Sequence, residues 1–359
     1  MSKTGKICLV VGTRPNFMKI APIIHRMKLL KIDFILVHTG QHYDNTMSKD
    51  IMNDLNLDEA NYFLDVRGGS HAIQTAKILK RFEKVCIEVK PSVVVVPGDV
   101  NSTLACALVA AKMNIPVAHI ESGLRSFDRN MPEEKNRILV DHISDLLFVS
   151  EISGVGNLKK EGISGDMVHL VGNCMIDSVI SILPKSKEKK PWERFNLSKK
   201  GYTLVTMHRP SNVDNNIKKT IELLNLLSED NKLLFPVHPR TITKIIQYKS
   251  QLNDNIVLCD PLSYVDFLGV MSEANVVVTD SGGIQEETTY LGVQCITFRD
   301  NTERPVTVDI GTNHLVGTKI ENLISTYNKI IKGDKKNGKI PEKWDGKTSN
   351  RILDILLDF

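Results

Sequence analysis

Short runs of Val, Ile and Leu, each followed by a stretch of helical period, recur along almost the whole chain, and this alternation restricts the fold more than any other feature. Ile7–Val11, Phe34–His38, Ser92–Val96, Val117–Glu121 and Leu146–Ser150 are nearly continuous in apolar residues, with Val168–Val171 a further strand candidate. Unbroken hydrophobicity over so few residues is what a strand needs when helices cover both faces of a parallel sheet. Between these runs Pro15–Lys31, Ala72–Val89, Thr103–Met113 and Pro132–Ser144 read as helices. A repeated strand–helix unit predicts an α/β fold with a doubly wound sheet. The pattern lapses over Pro184–Pro191, which is charged, proline-flanked and without apolar period, and is expected to be a surface loop or part of a linker. It restarts with Thr203–Met207, Leu233–Val237, Ile256–Leu258, Val276–Thr279 and Cys295–Thr297. A chain of 359 residues exceeds what one core comfortably supports, so two doubly wound domains in tandem are expected. The last segment, Ser349–Phe359, sets Ile352, Leu353, Ile355, Leu356 and Phe359 at helical spacing and must dock its apolar face.

Composition narrows the function classes. Lys and Arg outnumber Asp and Glu by 46 to 42, a weak bias that suits a small anionic substrate and makes no case for nucleic acid. The six cysteines form no C-x-x-C pair and sit largely in apolar runs, which predicts free buried thiols and no zinc or iron–sulfur centre. The first apolar run is too short for a signal-peptide core or a membrane span, so a cytosolic protein is expected.

In open α/β sheets ligands bind beyond the carboxyl ends of the strands, so the residues that follow each strand carry the functional reading. After the first strand, Gly12-Thr13-Arg14-Pro15 offers a tight turn, a helix start with unpaired N–H groups, and a forked cation for a phosphate. It reads equally well as an ordinary turn with a solvated Arg. Neither G-x-G-x-x-G nor a P-loop is present. Asp280-Ser281-Gly282-Gly283 after Val276–Thr279 is the stronger anion turn, and Glu287, one turn into the next helix, can accept from ribose hydroxyls. The plainer alternative is that Glu286 and Glu287 complement a helix dipole. Asp99 and Glu121 lie at strand ends of the first half, and Glu133 and Glu134 open a helix after Pro132 with Arg137 one turn on. Any one alone reads as a cap or a surface charge, but several converge on one rim. Neighbouring carboxylates raise one another's pKa, which yields a base that works near neutral pH. His208 and His238 each end a strand of the second half, with Arg209 and Arg240 close by. No metal is expected, because no His pair has ligand spacing.

Taken together, Gly12-Thr13-Arg14-Pro15 with Lys19, Pro97-Gly98-Asp99, His119-Ile120-Glu121-Ser122-Gly123-Leu124-Arg125, Pro132-Glu133-Glu134 with Asn136-Arg137, His208-Arg209, Asp280–Glu287 and Arg299–Pro305 resemble the non-hydrolysing UDP-N-acetylglucosamine 2-epimerases. The likeness runs in order from about residue 7 to 317. It implies a GT-B-like fold of two Rossmann-like domains facing a central cleft, residues 1–174 joined by 347–359 and residues 175–346, with the final helix crossing back to the first domain. It implies interconversion of UDP-GlcNAc and UDP-ManNAc through elimination of UDP to a 2-acetamidoglucal, without NAD or any other cofactor, by a homodimer. By the same resemblance Asp99, Glu121 and Glu133 are the catalytic carboxylates, and His208 is a further catalytic residue. Arg14, His208 and the Ser281, Gly282 and Gly283 amides hold the diphosphate, Glu287 takes the ribose, Arg137 and Arg304 belong to the substrate site, and Lys19 matches a cleft lysine of the family. His238 joins the substrate site by its place after a strand beside an Arg.

Two departures qualify the likeness. Of the second, allosteric nucleotide-sugar site of regulated bacterial members, Gln41 is kept while other positions do not match, so Gln41 stands as a remnant of it. Relatives also act on deoxy and uronic UDP-2-acetamido sugars, and nothing in the chain settles the C6 substituent. A GT-B glycosyltransferase would share the fold and the nucleotide end, but it needs an acceptor site and has no use for the carboxylate group at 99, 121 and 133. A hydrolysing epimerase and a non-catalytic nucleotide-sugar sensor are the remaining alternatives.

Overall fold

A computed structural model describes residues 5–41, 45–207, 217–237 and 239–359. The chain divides into two compact units, Met1–Ser178 with Glu342–Phe359, and Val179–Pro341. The first unit holds seven strands: β1 (Ile7–Val11), β2 (Phe34–His38), β3 (Tyr62–Phe63), β4 (Val93–Pro97), β5 (Val117–Ser122), β6 (Leu146–Val149) and β7 (Val168–Leu170). They lie side by side in the order β3-β2-β1-β4-β5-β6-β7, all parallel. The second unit holds β8 (Tyr202–Thr206), β9 (Lys232–Pro236), β10 (Ile256–Cys259), β11 (Val276–Thr279), β12 (Gln294–Thr297) and β13 (Asn313–Leu315). Their order, β10-β9-β8-β11-β12-β13, is again parallel and repeats that of the first unit. Both are doubly wound sheets whose strand order reverses once, between β1 and β4 and between β8 and β11. That switch point is where an open parallel sheet leaves a crevice for a ligand.

The apolar runs fill the sheet centres. All of β4 is buried, and Cys8, Val10, Val94 and Val96 pack with Ile78, Phe82 and Cys106 from the covering helices His71–Val89 and Asn101–Lys112. Each such side chain contributes about 1.5–3 kcal/mol by leaving water. None of the six cysteines is bridged, and five are buried. Among the described residues no helix is long and apolar enough to cross a membrane.

Two expectations need correction. The segment after Pro184 is helical through Lys189, within the helix Cys174–Lys189. Pro184 lies on the exposed side, and the buried stripe continues through Val179, Ile182 and Ser186. Ser186 is polar in sequence, yet its hydroxyl donates to the Ile182 carbonyl at 3.2 Å and its carbonyl lies 3.0 Å from the Cβ position of Gly269. A small satisfied residue thus takes a place where the apolar pattern led one to look for a large one. The edge strands β3 and β13 were not visible in the pattern, being two and three residues long. The last helix, Thr348–Asp358, does return to the first unit. It packs on the helix Arg14–Leu30 and buries Ile352, Leu353 and Leu356, while Asp177 caps its first turn by accepting from the Thr348 and Ser349 amides at 3.2 and 2.8 Å.

Candidate active site

In the first unit, β1 runs into Gly12 and the helix Arg14–Leu30. A side chain at 12 would place its Cβ 2.2 Å from Ser102 Oγ, so glycine is required by close approach rather than by a ligand. The free N–H groups expected at this turn are not free. Asn16 Oδ1 accepts from the Gly12 amide at 3.1 Å and from the Thr13 amide at 3.0 Å, and Asn16 Nδ2 donates to the Pro97 carbonyl at 3.2 Å. Pro15 has no N–H to give. Any anion binding here therefore falls to Arg14, whose side chain is half-buried. The Thr13-x-x-Asn16 spacing, close to a capping box, was the available signal.

Across the switch point β4 ends at Pro97, and Gly98 turns the chain with φ +69° into Asp99. A Cβ on Gly98 would lie 2.8 Å from Lys19 Nζ. Lys19 and Glu121, both buried, form an ion pair directly beside that turn. Glu121 itself occupies the left-handed region at φ +72°, where β5 bulges and its register against β6 shifts between Ile120 and Ser122. For a residue other than glycine such a backbone costs about 1–3 kcal/mol and persists only where its surroundings enforce it. Bulges of this kind re-aim a side chain.

The helix Pro132–Ile143 supplies the rest. Arg137 donates from Nε and Nη2 to a single oxygen, Asp99 Oδ2, at 3.0 and 2.6 Å, and Asn136 Nδ2 donates to the Asp99 carbonyl at 2.8 Å. Asp99 Oδ1 has no partner among the described residues, and the side chain is 25% exposed. Arg137 Nη1 also reaches Glu134 at 2.6 Å. Glu134 accepts in addition from the Ser126 and Phe127 amides at 2.9 and 2.8 Å. Burial pushes the Glu134 carboxyl up, but those two amides and Arg137 outweigh it and hold the group below the usual carboxylate range. Glu134 thus tethers the loop after β5, whereas its neighbour Glu133 is half-buried and without a hydrogen bond or ion pair among the described residues. Gln41 accepts on Oε1 from the Ser102 amide at 2.9 Å, which makes it a cap for the helix Asn101–Lys112.

In the second unit β11 leads through the buried Asp280 to Ser281, the residue before the helix Gly282–Leu291. The Ser281 amide donates to Thr279 Oγ1 at 3.0 Å. Gly282 and Gly283 open the helix at part-exposed positions, where first-turn amides lack partners within the helix. A Cβ on Gly282 would lie 2.6 Å from both Arg304 Nη1 and Glu303 Oε1. Arg304 is buried under this turn, paired with Glu303 and, at 3.0 Å, with Glu286. Glu303 in turn binds Arg299 at 2.8 Å. Glu287 is 2% exposed and accepts from the Tyr264 hydroxyl at 2.8 Å. His208 and His238 lie outside the described residues. Sequence reasoning missed Asn16 and Tyr264, because each acts by holding another group rather than by ending a strand. Glu134 reads in sequence only as one more carboxylate of the cluster, and its role as a tether needs the partners to be seen.

The chain matches the UDP-N-acetylglucosamine 2-epimerase family model over residues 26–357. It is 42% identical to a UDP-N-acetylglucosamine 2-epimerase of Methanocaldococcus jannaschii, covering 98% of each chain. It is 36% identical to the UDP-2,3-diacetamido-2,3-dideoxy-D-glucuronate 2-epimerase of Pseudomonas aeruginosa, covering 98% of this chain and 99% of that one. Among solved structures, the M. jannaschii UDP-GlcNAc 2-epimerase in complex with UDP-GlcNAc and UDP superposes with a TM-score of 0.90 at 41% identity, covering 99% of this chain and all of that one.

Proposed function

The chain belongs to the UDP-N-acetylglucosamine 2-epimerase family, and from that premise we propose that it interconverts UDP-N-acetylglucosamine and UDP-N-acetylmannosamine by removing UDP and returning it to the sugar. A carboxylate takes the C2 proton, the C–H electrons form a C1=C2 double bond, and the C1–O pair leaves with the β-phosphate of UDP. Addition of a proton to the opposite face of C2 and of UDP to C1 completes the inversion.

The observation that carries this reading is the state of Asp99. One carboxylate oxygen is fixed by two Arg137 bonds and the other is open, next to the buried Lys19–Glu121 pair. A proton-transfer group needs that combination of fixed direction and one available oxygen. In this proposal Asp99, Glu121 and Glu133 handle the C2 proton on the two faces of the ring, and Lys19 neutralises Glu121. Arg14 and the Gly282 and Gly283 amides grip the departing diphosphate, where oriented donors stabilise an outgoing anion most effectively. Glu287, set by Tyr264, takes the ribose. His208 keeps its assignment to the phosphate end on sequence position and resemblance, and His238 on sequence position alone. Arg304 acts from beneath the Gly282 turn through its pairs with Glu286 and Glu303.

The P. aeruginosa relative supports a second reading, a diacetamido uronic substrate, through its near-complete coverage of the chain. Proton NMR in D2O over a panel of UDP-GlcNAc and UDP-linked deoxy and uronic 2-acetamido sugars tests both. Deuterium at C2 and a new anomeric signal are expected with UDP-GlcNAc. Exchange confined to a uronic sugar would favour the second reading, and no exchange on any of them would overturn both.

A further inference from the structure

The group that organises the first unit's carboxylates is a different carboxylate, and no strand-end pattern points to it. Asp141, in the penultimate turn-and-a-half of the helix Pro132–Ile143, has a side chain with no solvent exposure. Its Oδ1 meets His119 Nδ1 at 2.7 Å. Its Oδ2 accepts from the Gly123 amide at 3.1 Å and pairs with Arg125 Nη1 at 2.7 Å. These partners lie on both sides of Glu121, so a single side chain pins the strand before and after the bulge that turns Glu121 into the left-handed region.

The same contacts reach Asp99. His119 Nε2 meets the Gly98 carbonyl at 2.8 Å, and the Gly98 amide returns to the Ile120 carbonyl at 3.0 Å. His119 thus spans Asp141 and the Gly98 carbonyl with its two ring nitrogens. Arg125 gives its other edge to Glu161 at 2.8 and 2.7 Å. Burial pushes the Asp141 carboxyl up, but His119 and Arg125 outweigh it and hold the group below its usual range. On the far side, the Gly154 backbone would sit 2.5 Å from a Cβ on Gly123, which leaves the loop no room to relax outward.

We propose that Asp141 is a positioning residue for the epimerisation: through His119, Gly123 and Arg125 it holds Glu121 in its left-handed backbone and sets the Gly98–Asp99 turn beside it. This role rests on the assignment of Asp99 and Glu121 to the C2 chemistry. A buried aspartate that served stability alone would change the melting temperature and leave turnover untouched. One that aims two catalytic carboxylates changes turnover at saturating substrate and spares UDP binding.

The test is Asp141→Asn, which keeps size and removes charge, assayed for C2 deuterium exchange and for UDP affinity by calorimetry. Exchange at saturation is expected to fall about 30-fold or more, with the UDP dissociation constant within about threefold of wild type. In a Glu121→Gln background the same substitution is expected to add less than about threefold, because the two act as one unit. Exchange within twofold of wild type, or a full multiplicative loss on top of Glu121→Gln, would overturn the role. Should Asp141→Asn not fold, His119→Gln cuts the path to Gly98 while leaving Asp141 on Gly123 and Arg125. It is expected to lower exchange and spare UDP affinity, and unchanged exchange would overturn the role. A wild-type chain that exchanges no C2 proton on any UDP-linked 2-acetamido sugar would remove the function and this role together. An active wild type with an unaffected Asp141→Asn would remove only the role.

Discussion

The two units share one strand order and differ almost completely in what they set at its reversal. In the first, the turn after β4 carries Asp99 and the bulge at the end of β5 carries Glu121, each bound to a cation, and one of the two backbones is strained. In the second, the turn after β11 carries Ser281, Gly282 and Gly283, with its cation Arg304 buried beneath it and already paired. The same scaffold thus presents carboxylate side chains in one copy and bare backbone in the other. In the proposed function, chemistry and grip belong to these end-of-strand segments, and the sheet only decides where they go.

This contrast can be broken at several points. The largest effect belongs to the first unit. Asp99→Asn or Glu121→Gln is expected to lower kcat by about 10²-fold or more while KM changes little, as initial-rate kinetics will show. A substitution in the second unit is expected to do the reverse. Gly282→Ala drives a methyl group into Arg304 and Glu303, and should weaken UDP binding about tenfold with kcat preserved at saturation. A fall in kcat with unchanged UDP affinity would blur the division between the units. Tyr264→Phe removes one hydrogen bond from Glu287 and should cost UDP affinity only about threefold by calorimetry.

The smallest test concerns acid stability. His38, buried and stacked between Phe17 and Phe63, has its pKa pulled down to about 4 by burial, from 6.5. The unfolded chain binds this proton first. The stability that neutral His38 contributes, about 3 kcal/mol at most, is therefore complete above about pH 6.5 and lost as pH falls towards 4. His38→Phe should shrink the drop in Tm between pH 7 and pH 5. An unchanged drop would assign the acid sensitivity elsewhere, with His314 of the second unit next in line. That ring is also pulled down to about 4, by burial first and by Lys336 second, and its greater exposure makes its contribution smaller.

Much of this was legible in the chain. Buried parallel strands announce themselves as Val and Ile runs, so the central strands of both sheets were readable, and so were the candidate site residues at their ends. The unread parts share a physical cause. Strands β3 and β13 are held by their neighbours and are too short to show a period. Ser186 fills a packing position through small size rather than hydrophobicity. Asn16 and Asp141 spend polar groups on partners distant in sequence and Glu134 on the loop before its own helix, and a polar residue in a helix looks solvated until its partners are seen. Only the i, i+3, i+7 stripe Glu134, Arg137, Asp141 on one helix hinted that a polar face was turned inward.

The division of labour is tested most directly by measuring, on the same Glu121→Gln protein, the UDP dissociation constant and the rate of C2 exchange under saturating UDP-GlcNAc. The expected result is UDP held as tightly as by the wild type, within about threefold, and exchange lowered by about 10²-fold or more. Loss of UDP binding in step with exchange would contradict it.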